Sequence, residues 1–259
     1  MSVINTNVKS MFAQAALQTN ERSMTTAMNQ LSTGKRTFSA SVDAAGVSIA
    51  EKLTSQIRGS QMAARNVNDT ISFMQTAEGA LTEIGNMSQR MYELAVQKTS
   101  GTYSTGLLSQ VSDINTEIHA LATAIDGIKT GTKWNGLLPA TATALAATSD
   151  SSGTTSSLTL TALGTTPTSA TSVTDIDTYI GTVTTRRSEA GAHINRLGYM
   201  ADNLNSNATN LAASRSRIQD TDYAKASAEL ARTQIISQAA TAMLAQANQQ
   251  PQAVLTLLQ

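Results

Sequence analysis

The side chains that could carry chemistry are few and poorly placed for it. His119 and His193 are the only two histidines, lie far apart, and each falls inside a run with helical periodicity. The chain has no cysteine and no His-Glu-x-x-His pair, so neither the thiolate nor the imidazole spacing of a zinc site is present. Its glycines form neither GxxxxGK nor GxGxxG, so no loop is built to cradle a phosphate. Serine and threonine are abundant, but no nucleophile elbow frames one of them. Asp220 and Asp222 precede a helical run and read as cap and dipole partners rather than as an acid–base pair. Trp134 reads as an anchor for a turn. The sequence thus predicts no enzymatic site and no cofactor.

The elements that carry these residues point the same way. The 259 residues hold 18 basic and 18 acidic side chains, and only 14% of the chain is charged. A nucleic-acid binder shows a basic excess or stripe, and none is present. No apolar run approaches the roughly 20 residues that span a bilayer, so membrane insertion is not expected. The first twenty residues lack a basic stretch followed by an apolar one, which predicts that any export proceeds without a cleaved signal peptide. Aromatic residues make up only 3%, and three prolines leave long stretches free to be helical. A core of small residues suits helices that approach closely along their length. The predicted fold class is mainly α, an elongated antiparallel helical bundle or coiled coil, with a small β or loop patch in the middle of the chain.

Apolar periodicity marks five helical blocks. The first runs from about Ile4 to Leu31, with Ala13, Leu17, Met24, Ala27 and Leu31 on one stripe. A Gly-containing break follows from Ser32 to Gly46. The second block, about Val47 to Val96, carries Val67, Ile71, Met74, Ala77, Leu81, Ile84, Met91 and Ala95. The third, about Tyr103 to Ile128, carries Leu108, Val111, Ile114, Ile118, Leu121, Ile125 and Ile128. The fourth follows an unbroken four-three alternation from Ile176 through Ile180, Val183, Arg187, Ala190, Ile194, Leu197, Ala201, Leu204, Ala208, Leu211 and Arg215 to Ile218, as a coiled-coil seam does. Only Arg187 and Arg215 interrupt its apolar character. The fifth, about Tyr223 to Leu258, carries Leu230, Ile235, Ile236, Met243, Leu244, Val254, Leu255, Leu257 and Leu258. Between the third and fourth blocks, Thr141 to Thr174 is more than half Ser and Thr. Alternation around Ser157–Thr161 predicts one or two short strands there; a plain Ser/Thr linker is the alternative. The long helices on either side of this patch must run antiparallel for the chain to be compact.

The last block carries too few large side chains to offset the entropy of ordering its backbone by itself. Pairing with the first block closes only part of that gap. The terminal segments are therefore expected to order against neighbouring copies, and a head-to-tail contact that does not close on itself gives a helical filament. On these grounds alone, an ordinary intramolecular four-helix bundle stands as an equal alternative.

Both ends of the sequence resemble bacterial flagellin. SVINTNVKSMFAQAAL near the start, with Ile4–Asn7 at its centre, resembles the family's opening. So do Leu31–Arg36 (LSTGKR), Asp43–Gly46 (DAAG) and the following IAEKLTSQIRG. Asn66–Gln97 resembles the family's long helix, and Lys133–Gly136 (KWNG) sits where the family turns into its variable region. Ser214–Gln259 resembles the closing signature almost throughout. Together these cover about residues 1–136 and 175–259. The chain departs from the family's pattern between Arg36 and Asp43 and at its last residue, Gln259.

The resemblance implies a filament subunit for swimming motility. Residues 1–45 with 215–259 would form inner-core polymerisation helices, residues 46–140 with 175–214 a rod-like helical domain, and residues 141–174 a short Ser/Thr-rich variable surface segment in place of bulky outer domains. The polymerisation core would include Leu17, Met24, Leu31, Leu230, Ile235, Ile236, Met243, Leu244, Val254, Leu255 and Leu258. It also implies an extracellular location, type III export, and as partners the export apparatus, a flagellin-specific chaperone, and hook-associated junction and cap proteins. In resembling flagellins the stretch matching Gln89–Gln97 contacts the innate-immune Toll-like receptor for flagellin and also neighbouring subunits. Gln89, Arg90, Glu93 and Leu94 match the usual pattern, whereas Tyr92 replaces a basic residue common in receptor-active members. A hook–filament junction protein of the same family is the alternative, although such proteins usually lack the full Leu244–Gln249 signature. A signalling coiled coil, a different class, would need a membrane anchor.

Overall fold

The structure, a computed structural model, describes residues 6–100, 108–168 and 172–257. Among these residues the chain forms helices α1 (Val8–Thr33), α2 (Ala44–Thr99) and α3 (Leu108–Gly131), strands β1 (Ala144–Thr148) and β2 (Thr155–Thr159), and helices α4 (Val173–Gln219) and α5 (Tyr223–Leu257). The expected mainly helical class with a small β patch is what is observed. The five helical blocks fall on these helices; of the expected block ends, Ile4, Tyr103 and Leu258 lie outside the described residues.

Two compact units divide the chain: residues 1–55 with 210–259, and residues 56–209. In the first unit, the sequence sets the helix ends locally. Asn7 caps α1 by accepting from the Ser10 amide at 3.2 Å. Gly34 ends α1 with a left-handed φ of 66°, a conformation that a side chain resists. Asp43 accepts from the Gly46 amide at 2.8 Å and opens α2. Asp222 accepts from the Ala224 and Lys225 amides and opens α5, the capping role that its position suggests. Asp220 instead pairs its backbone with Lys35 in a short antiparallel bridge. The Arg36 amide donates to Gln219 O at 2.6 Å and the Thr221 amide to Gly34 O at 3.0 Å, so the break after α1 is stitched to the α4–α5 junction.

The second unit is held by two apolar clusters. One joins Ala63, Ala64, Val67 and Met74 of α2 to Ala190, Leu197, Ala201 and Leu204 of α4, beneath Ala147, Leu158 and Leu160 of the hairpin region. The other joins Ile84, Met91, Leu94 and Ala95 of α2 to Ile114, Ile118, Ala122 and Ile125 of α3 and to Ile176, Tyr179 and Val183 of α4. Early α2 residues meet late α4 residues and the reverse, so the two helices run antiparallel here, as expected. The predicted α2 stripe is the core face: Val67, Met74, Ala77, Leu81, Ile84, Met91 and Ala95 are all buried.

The α4 seam needs one correction. Ile176, Val183 and Ala190 are buried as expected, but between them the core takes Tyr179 and Arg186, not Ile180 and Arg187. Arg187 is exposed and Arg186 is fully buried. The alternation is three-four rather than four-three, because main-chain carbonyls from the segments flanking the hairpin draw the Arg186 guanidinium inward.

Within the middle segment, residues 144–159 form a β-hairpin. β1 and β2 pair antiparallel with Leu145 opposite Leu158. The turn closes around Asp150, whose carboxylate accepts from Ser152 N, Ser152 Oγ and Thr154 N; these bonds hold its pKa well below the usual carboxylate range. Trp134 anchors a tight turn through Asn135 and Gly136, both with positive φ, and its ring meets Phe73 edge-on at 5.8 Å.

Candidate assembly surface

Helices α1 and α5 pack against each other, and the sequence explains how they approach so closely. The α1 face turned inward runs Ser10, Ala13, Leu17, Asn20, Met24, Ala27 and Leu31; the α5 face runs Ala226, Leu230, Thr233, Ser237, Ala240, Leu244 and Ala247. Both follow heptad spacing; Ala, Ser or Thr fills five of the seven α5 positions and three of the seven on α1, and these let the backbones come together. Two asparagines fix the antiparallel alignment. Asn20 Nδ2 donates to Thr233 O at 2.7 Å, and Asn7 Nδ2 donates to Ala247 O at 2.8 Å.

The seam leaves several large apolar side chains uncovered. Phe12 is 73% exposed, Ile235 67% and Met243 66%; Val8, Met11, Met28 and Ile236 are also exposed. The residues expected to form a polymerisation core therefore separate into two groups. Leu17, Met24, Leu31, Leu230 and Leu244 are partly buried in the intramolecular seam, while Ile235, Ile236 and Met243 face outward. Leu258 lies outside the described residues, as do the side chains of Val254 and Leu255. Sequence reasoning missed Val8, Met11, Phe12 and Met28. The signal was there: they are large apolar residues off the Ala13–Leu31 stripe.

The candidate contact stretch on α2 is divided in the same way. Gln89, Arg90 and Glu93 are exposed, whereas Leu94 is 2% exposed in the α2–α3–α4 core. Arg90 is braced between two carboxylates, 3.1 Å from Glu93 and 3.0 Å from Glu117 of α3. Hydrogen bonds to Glu93 and then Glu117 raise its pKa further above the arginine range.

A polar ladder on α4 holds the hairpin in place. Arg186 donates to the carbonyls of Thr161, Ala142 and Pro139. Glu189 accepts from Thr161 N at 2.6 Å and Thr161 Oγ1 at 2.7 Å. His193 Nε2 meets Thr159 O at 2.9 Å, and Arg196 donates to Ser156 Oγ. The spacing of three, four and three keeps all four on one helix face. Burial lowers the Arg186 pKa, while the Thr161 hydrogen bonds lower that of Glu189. His193 is thus occupied with a main-chain oxygen, and His119 is exposed beside Thr123. Among the described residues, no group of three or more His, Asp or Glu side chains gathers to hold a metal, and no helix is long and apolar enough to cross a membrane.

Terminal helices zipped by small residues, with large apolar side chains left over on their outer flanks, define a helical structural protein built to associate with others. Comparison with known proteins identifies the class further. The family profile for the bacterial flagellin N-terminal helical region matches residues 4–138, and that for the bacterial flagellin C-terminal helical region matches residues 173–258. The chain is 41% identical to a flagellin of Halalkalibacterium halodurans over 99% of both chains. It is 36% identical to the flagellar filament 33 kDa core protein of Treponema phagedenis over 99% of both, and 36% identical to a flagellin of Bacillus subtilis over 98% of this chain and 99% of that one. The chain belongs to the bacterial flagellin family. It is a structural filament protein and not an enzyme: a subunit of the flagellar filament outside the cell, present there in many copies.

Proposed function

We propose that this chain polymerises through the outer faces of α1 and α5, and that these terminal helices gain their final order on assembly. The observation that carries this reading is the set of large apolar side chains that the α1–α5 seam leaves exposed, Phe12, Ile235 and Met243 foremost. Exposed apolar area on this scale marks an interaction surface, and in a homopolymer the covering partner is another copy. In this reading residues 1–45 with 215–259 are the inner core, residues 46–140 with 175–214 the rod, and residues 141–174 the variable surface segment. Type III export, a dedicated chaperone, and junction and cap proteins belong to the same reading as partners. Gln89, Arg90 and Glu93 form a surface for a neighbouring subunit or for the Toll-like receptor, while Leu94 supports it from the core.

Electron microscopy tests the central claim. Depolymerised full-length protein is returned to neutral pH with and without short filament seeds. Long uniform filaments are expected, and they are lost when residues 1–40 or 220–259 are deleted. Subunits that still extend seeds after either deletion would overturn the reading.

A further inference from the structure

The chain has ten methionines and no cysteine, so a thioether is the side chain that a mild oxidant attacks first. The methionines divide sharply by exposure. Met74 and Met91 are fully buried among the core residues of α2, whereas Met11, Met28, Met62 and Met243 are each more than half exposed. Met243 and Met11 are the most open of these, at 66% and 61%. These two also belong together in space. The Asn7–Ala247 and Asn20–Thr233 hydrogen bonds fix the alignment of the antiparallel helix pair, and that alignment sets Met11 of α1 level with Met243 of α5.

Their surroundings set them apart from the exposed methionine of the other unit. On α1, Met11 lies beside Phe12 and one turn from Val8 and Ala15; on α5, Met243 follows Ala239 and Ile236 on the same face. Both thioethers are thus part of the apolar surface that the α1–α5 seam leaves uncovered. Met62 of α2 has Arg58, Arg65 and Asn66 as its neighbours along the helix. An oxygen added to Met62 joins polar groups. Added to Met11 or Met243, it lands in the surface through which the subunit is read to assemble.

We propose that Met11 and Met243 form an oxidation site that gates assembly: peroxide converts their thioethers to sulfoxides in the free subunit, and the filament then refuses that subunit. In the step, the sulfur lone pair attacks one peroxide oxygen. An S–O bond forms, the O–O bond breaks, and the other oxygen leaves as water, so that sulfur is oxidised and the peroxide reduced. The product is a polar sulfoxide in place of a flexible apolar side chain. Facing water, it disturbs the subunit's own fold little. Pressed against another copy, its oxygen is buried without a donor, which is unfavourable. The inference rests on the filament reading and adds to it a redox control at the same surface.

Graded oxidation of full-length subunits tests it. The subunits are treated with dilute hydrogen peroxide, quenched, mapped by mass spectrometry and added to filament seeds. Sulfoxide at Met11 and Met243 is expected to form about tenfold faster than at Met74 and Met91, and elongation to fall about tenfold as it forms. Reduction by methionine sulfoxide reductase should bring elongation back. Each variant is compared with its own untreated sample. Met62→Leu should lose as large a share of its elongation as the unaltered protein, whereas the double variant Met11→Leu, Met243→Leu should keep most of its own. Undiminished elongation with both sites oxidised, or an equal loss in the double variant, overturns the inference and leaves the filament reading intact. Untreated, unaltered subunits that fail to extend seeds overturn both. Should the double variant not elongate even before treatment, the time course of the unaltered protein decides. A loss that follows oxidation of Met11 and Met243 supports the gate, and one that follows Met28 or Met62 instead refutes it.

Discussion

Asn20 of α1 reaches across the helix pair to donate to the backbone carbonyl of Thr233, at 2.7 Å and 213 residues away in sequence. Both residues are buried. A polar clip inside a seam of small side chains contributes modestly to stability but sets register, as a single buried asparagine does in a coiled coil. Asn20→Ala should cost about 1 kcal/mol. Denaturant unfolding of the subunit measures that cost, and filaments grown from the variant should disassemble at lower temperature than those of the unaltered protein.

Gly34 tests the stitched junction. Its φ of 66° is unfavourable for any side chain, and an added Cβ would lie 2.7 Å from the Tyr223 hydroxyl. Gly34→Ala should destabilise by about 1–2 kcal/mol. Adding Tyr223→Phe relieves the contact but not the backbone cost, so thermal melts of the double variant should recover only part of the loss. Full recovery would mean that backbone conformation is not what selects glycine.

Arg186 is 0% exposed and donates to three carbonyls from the segments on either side of the hairpin. Removing it leaves the buried Pro139 carbonyl unpaired, at a cost of about 1–3 kcal/mol, and frees the part-buried carbonyls of Ala142 and Thr161. Arg186→Ala should therefore release the hairpin while the rest of α4 stays helical. Hydrogen exchange at residues 144–159 should rise sharply, with Arg186→Lys falling between. Unchanged protection would contradict the anchoring role.

Glu189 gives the hairpin a pH dependence. Its folded pKa lies below the ordinary 4.5, first because Thr161 Oγ1 and then because Thr161 N donates to the carboxylate. A depressed folded pKa contributes stability that is complete above the unfolded value and is lost as pH falls through the folded one. Amide protection around Thr161 should hold near neutrality and weaken below about pH 4.5. Glu189→Gln should flatten that dependence; if the variant titrates as steeply as the unaltered protein, another group is responsible.

Ile235 separates folding from assembly. It is mostly exposed in the subunit, so Ile235→Lys should change subunit stability by no more than about 0.5 kcal/mol. Its extension of filament seeds should nonetheless stop, because the charge would have to be buried without a partner. Normal elongation by this variant would place Ile235 outside the assembly contacts.

The sequence alone determined the helices, most of the core and the family. Val67, Met74, Leu81, Ile84 and Met91 repeat at a helical period, and whatever covers α2 must cover that stripe. Ile176, Val183 and Ala190 are likewise anchored by heptad spacing, and the small residues of α1 and α5 announce a close helix pair. Only the tertiary structure decided the phase between those anchors, where Arg186 and not Arg187 turns inward. The groups that draw it in, the carbonyls of Pro139, Ala142 and Thr161, lie 47, 44 and 25 residues away and have no local signature. The same holds for which terminal apolar residues remain uncovered. Periodicity shows that a helix has a face to bury, but the partner's width sets how much is covered. A narrow seam of alanine, serine and threonine closes over Leu17 and Leu244 and leaves Phe12, Ile235 and Met243 outside.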